Sequence, residues 1–296
     1  MRRLLVLSLF LAALTACSGD DDPEAARARA TGSPAGAAPA YDRYVALGDS
    51  YTAAPLVPPT DTSSICLRSG ANYPALVAEA MPGTTLTDVS CSGATTRHTV
   101  SRQVGRTGTV PPQFDALKRG TDLVTIGLGG NDGRLFGGVL GRCVQVAQTD
   151  PAGDPCRRSF EAEDPDLLDT TFARIERNLA EVVRGVRERS PGARILVVGY
   201  PQIIPESGTC DLLPLASGDY PFAREVNEGL DDAVERGAEA AQAEYVDTWG
   251  PSAGHDICAD DPWINGRVTS ADTALAYHPL AVEQEQVARL VLDAIS

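Results

Sequence analysis

Lysine is all but missing from this chain: Lys118 stands alone among 25 basic side chains, the rest being arginine, as GC-rich coding would leave it. Aromatic residues make up only 5% of the sequence, and no cluster of them offers a stacking platform for sugars. The seven cysteines include no Cys-x-x-Cys pair, which speaks against a zinc or redox centre. No internal repeat is present, and beyond the N-terminus no apolar run is long enough to span a membrane. Positive charge is short as well. The formal net charge of −15 argues against nucleic acid as a partner. Nothing in the pattern asks for a metal or cofactor.

The first residues indicate export. Arg2 and Arg3 precede an apolar run, Leu4 to Leu14, that is too short for a comfortable spanning helix. It ends in Leu14-Thr15-Ala16-Cys17, which resembles a bacterial lipobox, so residues 1–17 read as a lipoprotein signal with Cys17 as the lipidated residue. Membrane attachment through that lipid is the expected partner contact; an ordinary cleaved signal peptide is the other reading. Residues 18–40 are Asp, Pro, Ala, Gly, Arg and Ser with almost no large apolar side chain, the composition of a disordered tether. Fully extended, such a tether reaches roughly 75 Å at about 3.3 Å per residue. Residues 41–296 are enough for one α/β domain, expected as a monomer.

Within that domain, apolar β-prone runs alternate with helical periodicity. Strands are expected at Tyr44–Leu47, Thr84–Val89, Asp122–Gly127, Arg194–Tyr200 and Tyr245–Asp247. Helices are expected over Ala71–Met81, Leu167–Arg189, Phe222–Ala243 and Ala281–Ile295, the last with Val282, Val287, Leu290, Val291 and Ile295 inward. Alternation of this kind predicts a three-layer α/β/α sandwich with about five parallel strands, and a ligand site at their carboxyl ends.

Four short blocks fall where that site should be: Gly48-Asp49-Ser50-Tyr51-Thr52, Cys91-Ser92-Gly93-Ala94-Thr95, Gly129-Gly130-Asn131-Asp132 and Tyr277-His278-Pro279. A serine hydroxyl needs a base within hydrogen-bond reach before it can attack. Acyl transfer also needs donors aimed at the developing oxyanion, each worth about 3–4 kcal/mol. Ser50 and His278 can supply the first pair. A backbone N–H at Gly93 and the neutral Asn131 amide can supply donors, although capping and turn roles would also explain these residues. Pro279 is expected in the first turn of the closing helix, with His278 just before it. Asp49 and Asp132 read as carboxylates that tie the loops down.

This ordered set resembles the GDSL/SGNH hydrolase family over essentially all of residues 41–296. The resemblance implies a flavodoxin-like strand order, Ser50 as nucleophile, His278 as base, and an oxyanion hole from Ser50 N, Gly93 N and the Asn131 amide. It implies no cofactor; a lipid or other acyl ester is the expected substrate, since an anchored, exported enzyme meets lipids first. A non-catalytic lipoprotein holding a ligand or polysaccharide in the same cleft is the competing reading; it has no need of a nucleophile, a base and oxyanion donors together. The family places an aspartate three residues before its histidine, where this chain has Leu275, and the nearest upstream acid is Asp272. A branch of secreted actinobacterial esterases and lipases, which the chain also resembles through His255-Asp256-Ile257-Cys258, uses a main-chain carbonyl instead. The expectation is therefore a Ser50–His278 dyad oriented by a carbonyl in Leu275–Tyr277.

Apart from Cys17, six cysteines permit 15 pairings. The resemblance implies Cys66–Cys91, Cys143–Cys156 and Cys210–Cys258, each bracing a loop beside the site. His98 reads as a residue of a polar loop and His255 as a structural residue in a pinned loop. Gly250-Pro251-Ser252-Ala253-Gly254 matches the nucleophile elbow of α/β-hydrolases in letters alone, because no helix is expected after it.

Overall fold

A computed structural model of the chain describes residues 41–296; the proposed signal, Cys17 and the tether lie outside the described residues. Arg43–Gly48 forms β1 and runs directly into a one-turn helix, α1, Ser50–Ala53. Then follow α2 (Tyr73–Ala80), β2 (Thr85–Asp88), a short hairpin of β3 (Gln103–Val104) and β4 (Thr109–Val110), and β5 (Leu123–Gly127). The second half comprises α3 (Leu135–Val146), α4 (Pro155–Glu163), α5 (Leu167–Arg189), β6 (Arg194–Val198), α6 (Tyr220–Ala240), β7 (Glu244–Val246) and α7 (Ala281–Ile295).

Five strands pair in parallel in the order β2-β1-β5-β6-β7, the flavodoxin-like arrangement. Alternate side chains feed two cores, which is why both faces of the strands are apolar. Val45 and Leu47 of β1 join Ile175 and Leu179 of α5 and Leu230 and Val234 of α6 on one face. Tyr44 and Ala46 join Tyr73 and Val77 of α2 and Val287 and Val291 of α7 on the other. Both cores, the sheet and the three disulfides of residues 41–296 belong to one compact unit.

Three features differ from the sequence expectation. Helices α3 and α4 are additional to the expected set; Gly137, Gly138 and Gly141 lower the helix propensity of the first, and the second is short and polar. Pro279 is not in the first turn of α7: Leu280 is the N-cap, and Pro279 forms a β-bridge with Ile264. The inward face of α7 holds at Val287, Leu290, Val291 and Ile295 and differs only in its first turn. Val282 is exposed, whereas Glu283 and Gln284 are buried along with Val287, Val291 and Ile295. Burial pushes the Glu283 carboxyl up to about 8.

The disulfides join Cys66 to Cys91, Cys143 to Cys156 and Cys210 to Cys258. The first ties the loop after α1 to the loop carrying Gly93, the second staples α3 to α4, and the third links the loops that follow β6 and β7. Cys210 and Cys258 are 48 residues apart, so chain entropy assigns their bond about 4 kcal/mol. Replacing both by alanine should lower unfolding stability in denaturant by about that amount, more than the same change at Cys143 and Cys156, 13 residues apart. Equal midpoints for all three proteins would contradict it.

Candidate active site

The strand order reverses between β1 and β5, and the crevice at their carboxyl ends is where such sheets bind ligands. Gly48 and Gly127 are register partners at that edge. Gly48 must be glycine, since a Cβ there would run into Thr52. Its peptide is held on both sides by Gln113, whose Oε1 accepts from Gly48 N (3.0 Å) and whose Nε2 donates to Gly48 O (2.8 Å). The next residue, Asp49, caps α1: its Oδ1 accepts from Tyr51 N at 2.9 Å. Ser50 thus stands as the first residue of a helix at the carboxyl end of β1.

Two further loops converge on it. The Cys91–Thr95 loop follows β2, with Cys91 N bonded to Gly48 O (3.0 Å); Gly93 is exposed there at a φ of 73°, a conformation that favours glycine. The Gly129–Asp132 loop follows β5. Asn131 Nδ2 donates to Ala94 O at 3.0 Å, which fixes the amide while leaving its second hydrogen free. Asp132 ties these loops together, as its Oδ1 accepts from Thr96 N (2.8 Å) and its Oδ2 from Asn178 Nδ2 (2.9 Å). Tyr200, just past β6, acts as a strut. Its hydroxyl donates to Asp49 Oδ2 (2.6 Å) and accepts from Gly130 N (2.8 Å). Burial pushes the Asp49 carboxyl up to about 7 against the pull of these donors.

His278 reaches the same edge from the other end of the chain. Tyr51, the neighbour of Ser50, donates its hydroxyl to Tyr277 O at 2.9 Å, and its ring centre is 5.6 Å from that of His278. Tyr277 has a φ of 60°, and this turn brings His278 Nδ1 to 2.7 Å from Ala276 O. Asn265 N donates to His278 O (2.9 Å) on the outer side. Desolvation holds the imidazole below its ordinary pKa, and the Ala276 carbonyl opposes that only in part. Among the described residues, no hydrogen bond joins Ser50 Oγ to the His278 ring; bonds of this kind commonly close only around substrate. Gln284 braces the underside, since its Nε2 donates to Tyr51 O (2.9 Å) and its Oε1 accepts from Tyr73 N (2.7 Å).

The structure therefore gathers Ser50, Gly93, Asn131 and His278 on adjoining loops at one sheet edge. His98 lies in a single 3₁₀ turn, bonded to Thr95, and not in an open loop. His255 stacks on Trp263 with ring centres 4.5 Å apart and bonds to Asp261 O. Ser252 is buried and bonded to Gln202 N and Trp249 O, so the elbow-like letters are a plain turn. Sequence reasoning missed Tyr51, Gln113, Tyr200 and Gln284 as supports. A polar pair on the buried face of α7 is the one signal that could have pointed to Gln284.

A flavodoxin-order sheet with a serine, a glycine, an asparagine and a histidine at its switch point has the arrangement of an SGNH hydrolase. The chain belongs to the GDSL-like lipase/acylhydrolase family, whose model matches residues 46–281, and it is thus an ester hydrolase of the esterase or lipase type. Lipase 2 of Streptomyces coelicolor is 39% identical over 90% of each chain. An esterase of Streptomyces scabiei is 31% identical over 76% of this chain and 75% of its own. The crystal structure of phospholipase A1 from Streptomyces albidoflavus superposes with a TM-score of 0.70 at 28% identity, covering 87% of this chain and all of its own, 100%.

Proposed function

We propose that the chain is an exported serine esterase or lipase that hydrolyses acyl esters through an acyl-enzyme on Ser50, with His278 as base. The observation that carries this reading is the bond from Tyr51 to Tyr277 O, which makes the neighbours of nucleophile and base a single unit. In the reaction His278 Nε2 takes the Ser50 proton while Oγ attacks the ester carbonyl. Ser50 N, Gly93 N and Asn131 Nδ2 hold the oxyanion, and the imidazolium returns its proton to the departing alkoxide. Water then repeats the sequence on the acyl-enzyme. The Ala276 carbonyl fixes the Nδ1 proton, so Nε2 is the free base.

An acyl chain is the substrate part that the surroundings favour. Beside Phe136, which packs edge-on to Tyr51, a narrow apolar crevice runs between α3 and α6. Leu135, Val139, Leu140, Val226 and Leu230 line it. Phospholipase, lipase and esterase relatives agree with such a substrate. Export and lipid attachment rest on residues 14–17 and belong to this proposal.

The base works in its neutral form. Its pKa is lowered, so kcat/KM should fall on acidification only below pH 6.5, and an acid limb centred above that value would contradict the assignment. The direct test of the function is labelling by a serine-reactive fluorophosphonate. The protein should take one label, on the peptide containing Ser50, and hydrolyse p-nitrophenyl esters. An inert protein would favour the ligand-binding lipoprotein instead.

A further inference from the structure

Among the described residues five large apolar side chains stand in solvent, between 37% and 75% exposed: Val100, Val104, Leu212, Val268 and Val282. All five sit on segments that border the candidate site. Val100 and Val104 belong to the stretch after Gly93, which is fastened to that loop by Gln103 Nε2 donating to Ser92 O at 2.7 Å. Arg267 N donates to Leu212 O (3.0 Å), and Asn265 Nδ2 bridges Val268 O (2.9 Å) and Leu275 O (3.1 Å), so Leu212 and Val268 flank the His278 segment. Val282 lies in the first turn of α7, four residues past His278. Single exposed apolar residues mean little, but their concentration around one site is informative.

Charge is distributed in the same way. In a chain of net charge −15, no acidic residue occurs between Asp88 and Asp115, the longest acid-free stretch of the domain, and it carries Arg97, Arg102 and Arg106. All three are exposed, and none forms an ion pair among the described residues. Arg102, just before β3, and Val104 within it are both exposed, while Gln103 between them is buried. Glu181 of α5 lines the shallow depression that also holds Arg97 and Val100. Arg267 is exposed on the His278 side, where Asp211 and Asp272 are exposed too, so the positive anchor is the Gly93 side.

We propose that the end of the molecule bearing the site docks on an anionic lipid bilayer, with Arg97, Arg102 and Arg106 meeting the headgroups and Val100 and Val104 entering the interface. The acidic remainder is repelled by such a surface, which turns the arginine side toward it. Phospholipid esters would then lie next to the candidate site. This rests on the esterase reading for its purpose but not for its test, which measures binding.

The chain from Ser18 onward, without signal or lipid, is mixed with vesicles of phosphatidylcholine alone or with added phosphatidylglycerol. Co-sedimentation should rise with phosphatidylglycerol and fall with salt. The triple variant R97Q/R102Q/R106Q should bind the anionic vesicles roughly 100-fold more weakly, at about fivefold per charge. A control, R43Q/R119Q, removes exposed charge at the amino ends of β1 and β5, opposite the site, and should change binding less than threefold. V100S/V104S should weaken binding to both kinds of vesicle. All variants should hydrolyse a soluble p-nitrophenyl ester within twofold of the parent, which also shows that they fold. Equal binding to both vesicles, no binding, or an unaffected triple variant overturns the docking proposal. A parent that binds but hydrolyses no ester would instead overturn the function.

Discussion

Replacing Ser50 or His278 by alanine should each remove on the order of 10⁴–10⁶ of turnover, since a nucleophile and its base act as a unit. The double variant should be little worse than either single one. The informative contrast lies in the carboxylates. Losing the acid of a Ser-His-Asp triad costs about 10⁴, because the imidazole then adopts the wrong tautomer. Here Nδ1 of His278 lies 2.7 Å from the main-chain oxygen of Ala276, an acceptor for its proton. Asp256 accepts from Cys258 N, Asp261 is engaged with His255, and Asp272 is exposed. Asp256→Asn, Asp261→Asn and Asp272→Asn should therefore each keep activity within about tenfold. A loss of three orders of magnitude in any one, with the fold intact by circular dichroism, would make that residue the missing acid.

Asn131→Ala should reduce kcat by about 10²–10³ with little change in KM, as expected for a donor that serves the transition state alone. Tyr200 extends the test. Its hydroxyl bonds Asp49, which caps the Ser50 turn, and Gly130 N, which precedes Asn131. It thereby links the two loops that carry Ser50 and Asn131, the proposed oxyanion donors. Tyr200→Phe keeps the ring but loses both bonds, and kcat should fall about tenfold if roughly 1.4 kcal/mol of oxyanion stabilisation is lost. In an Asn131→Ala background the same change should cost less than threefold, because that link no longer matters. Full additivity would make Tyr200 merely structural, and an inert effect of Asn131→Ala alone would remove the amide from the oxyanion hole.

Much of this architecture could be read from the sequence, for identifiable reasons. Helices α5 and α7 coincide with their expected bounds because long runs of apolar residues at three- and four-residue spacing admit no other period. Buried strands β1, β5 and β6 are continuous apolar runs that end in glycine turns, so their ends also located the loops with Ser50 and Asn131. Helix α3 is hard to read because Gly137, Gly138 and Gly141 lower its helix propensity, although its buried Leu135, Val139, Leu140 and Cys143 keep a helical spacing. The supports were illegible for a different reason. Gln113, Tyr200 and Gln284 act on partners 65, 70 and 233 residues away, and no local pattern encodes such a contact. The inward face of α7 was misassigned where Glu283 and Gln284 occupy it, since a buried polar pair violates the periodicity rule that found the helix.

Tyr51 and Tyr277 also bear on when the site can exist. Their hydrogen bond spans 226 residues, so it closes very nearly the longest loop the domain can make. Loop closure of this kind comes late in folding, after local helices and neighbouring strands have formed. During synthesis the serine emerges near the start of the domain and its base close to the end. A nascent or truncated chain therefore holds a serine without a partner, and regained esterase turnover would report the last stage of refolding, behind the recovery of helical signal.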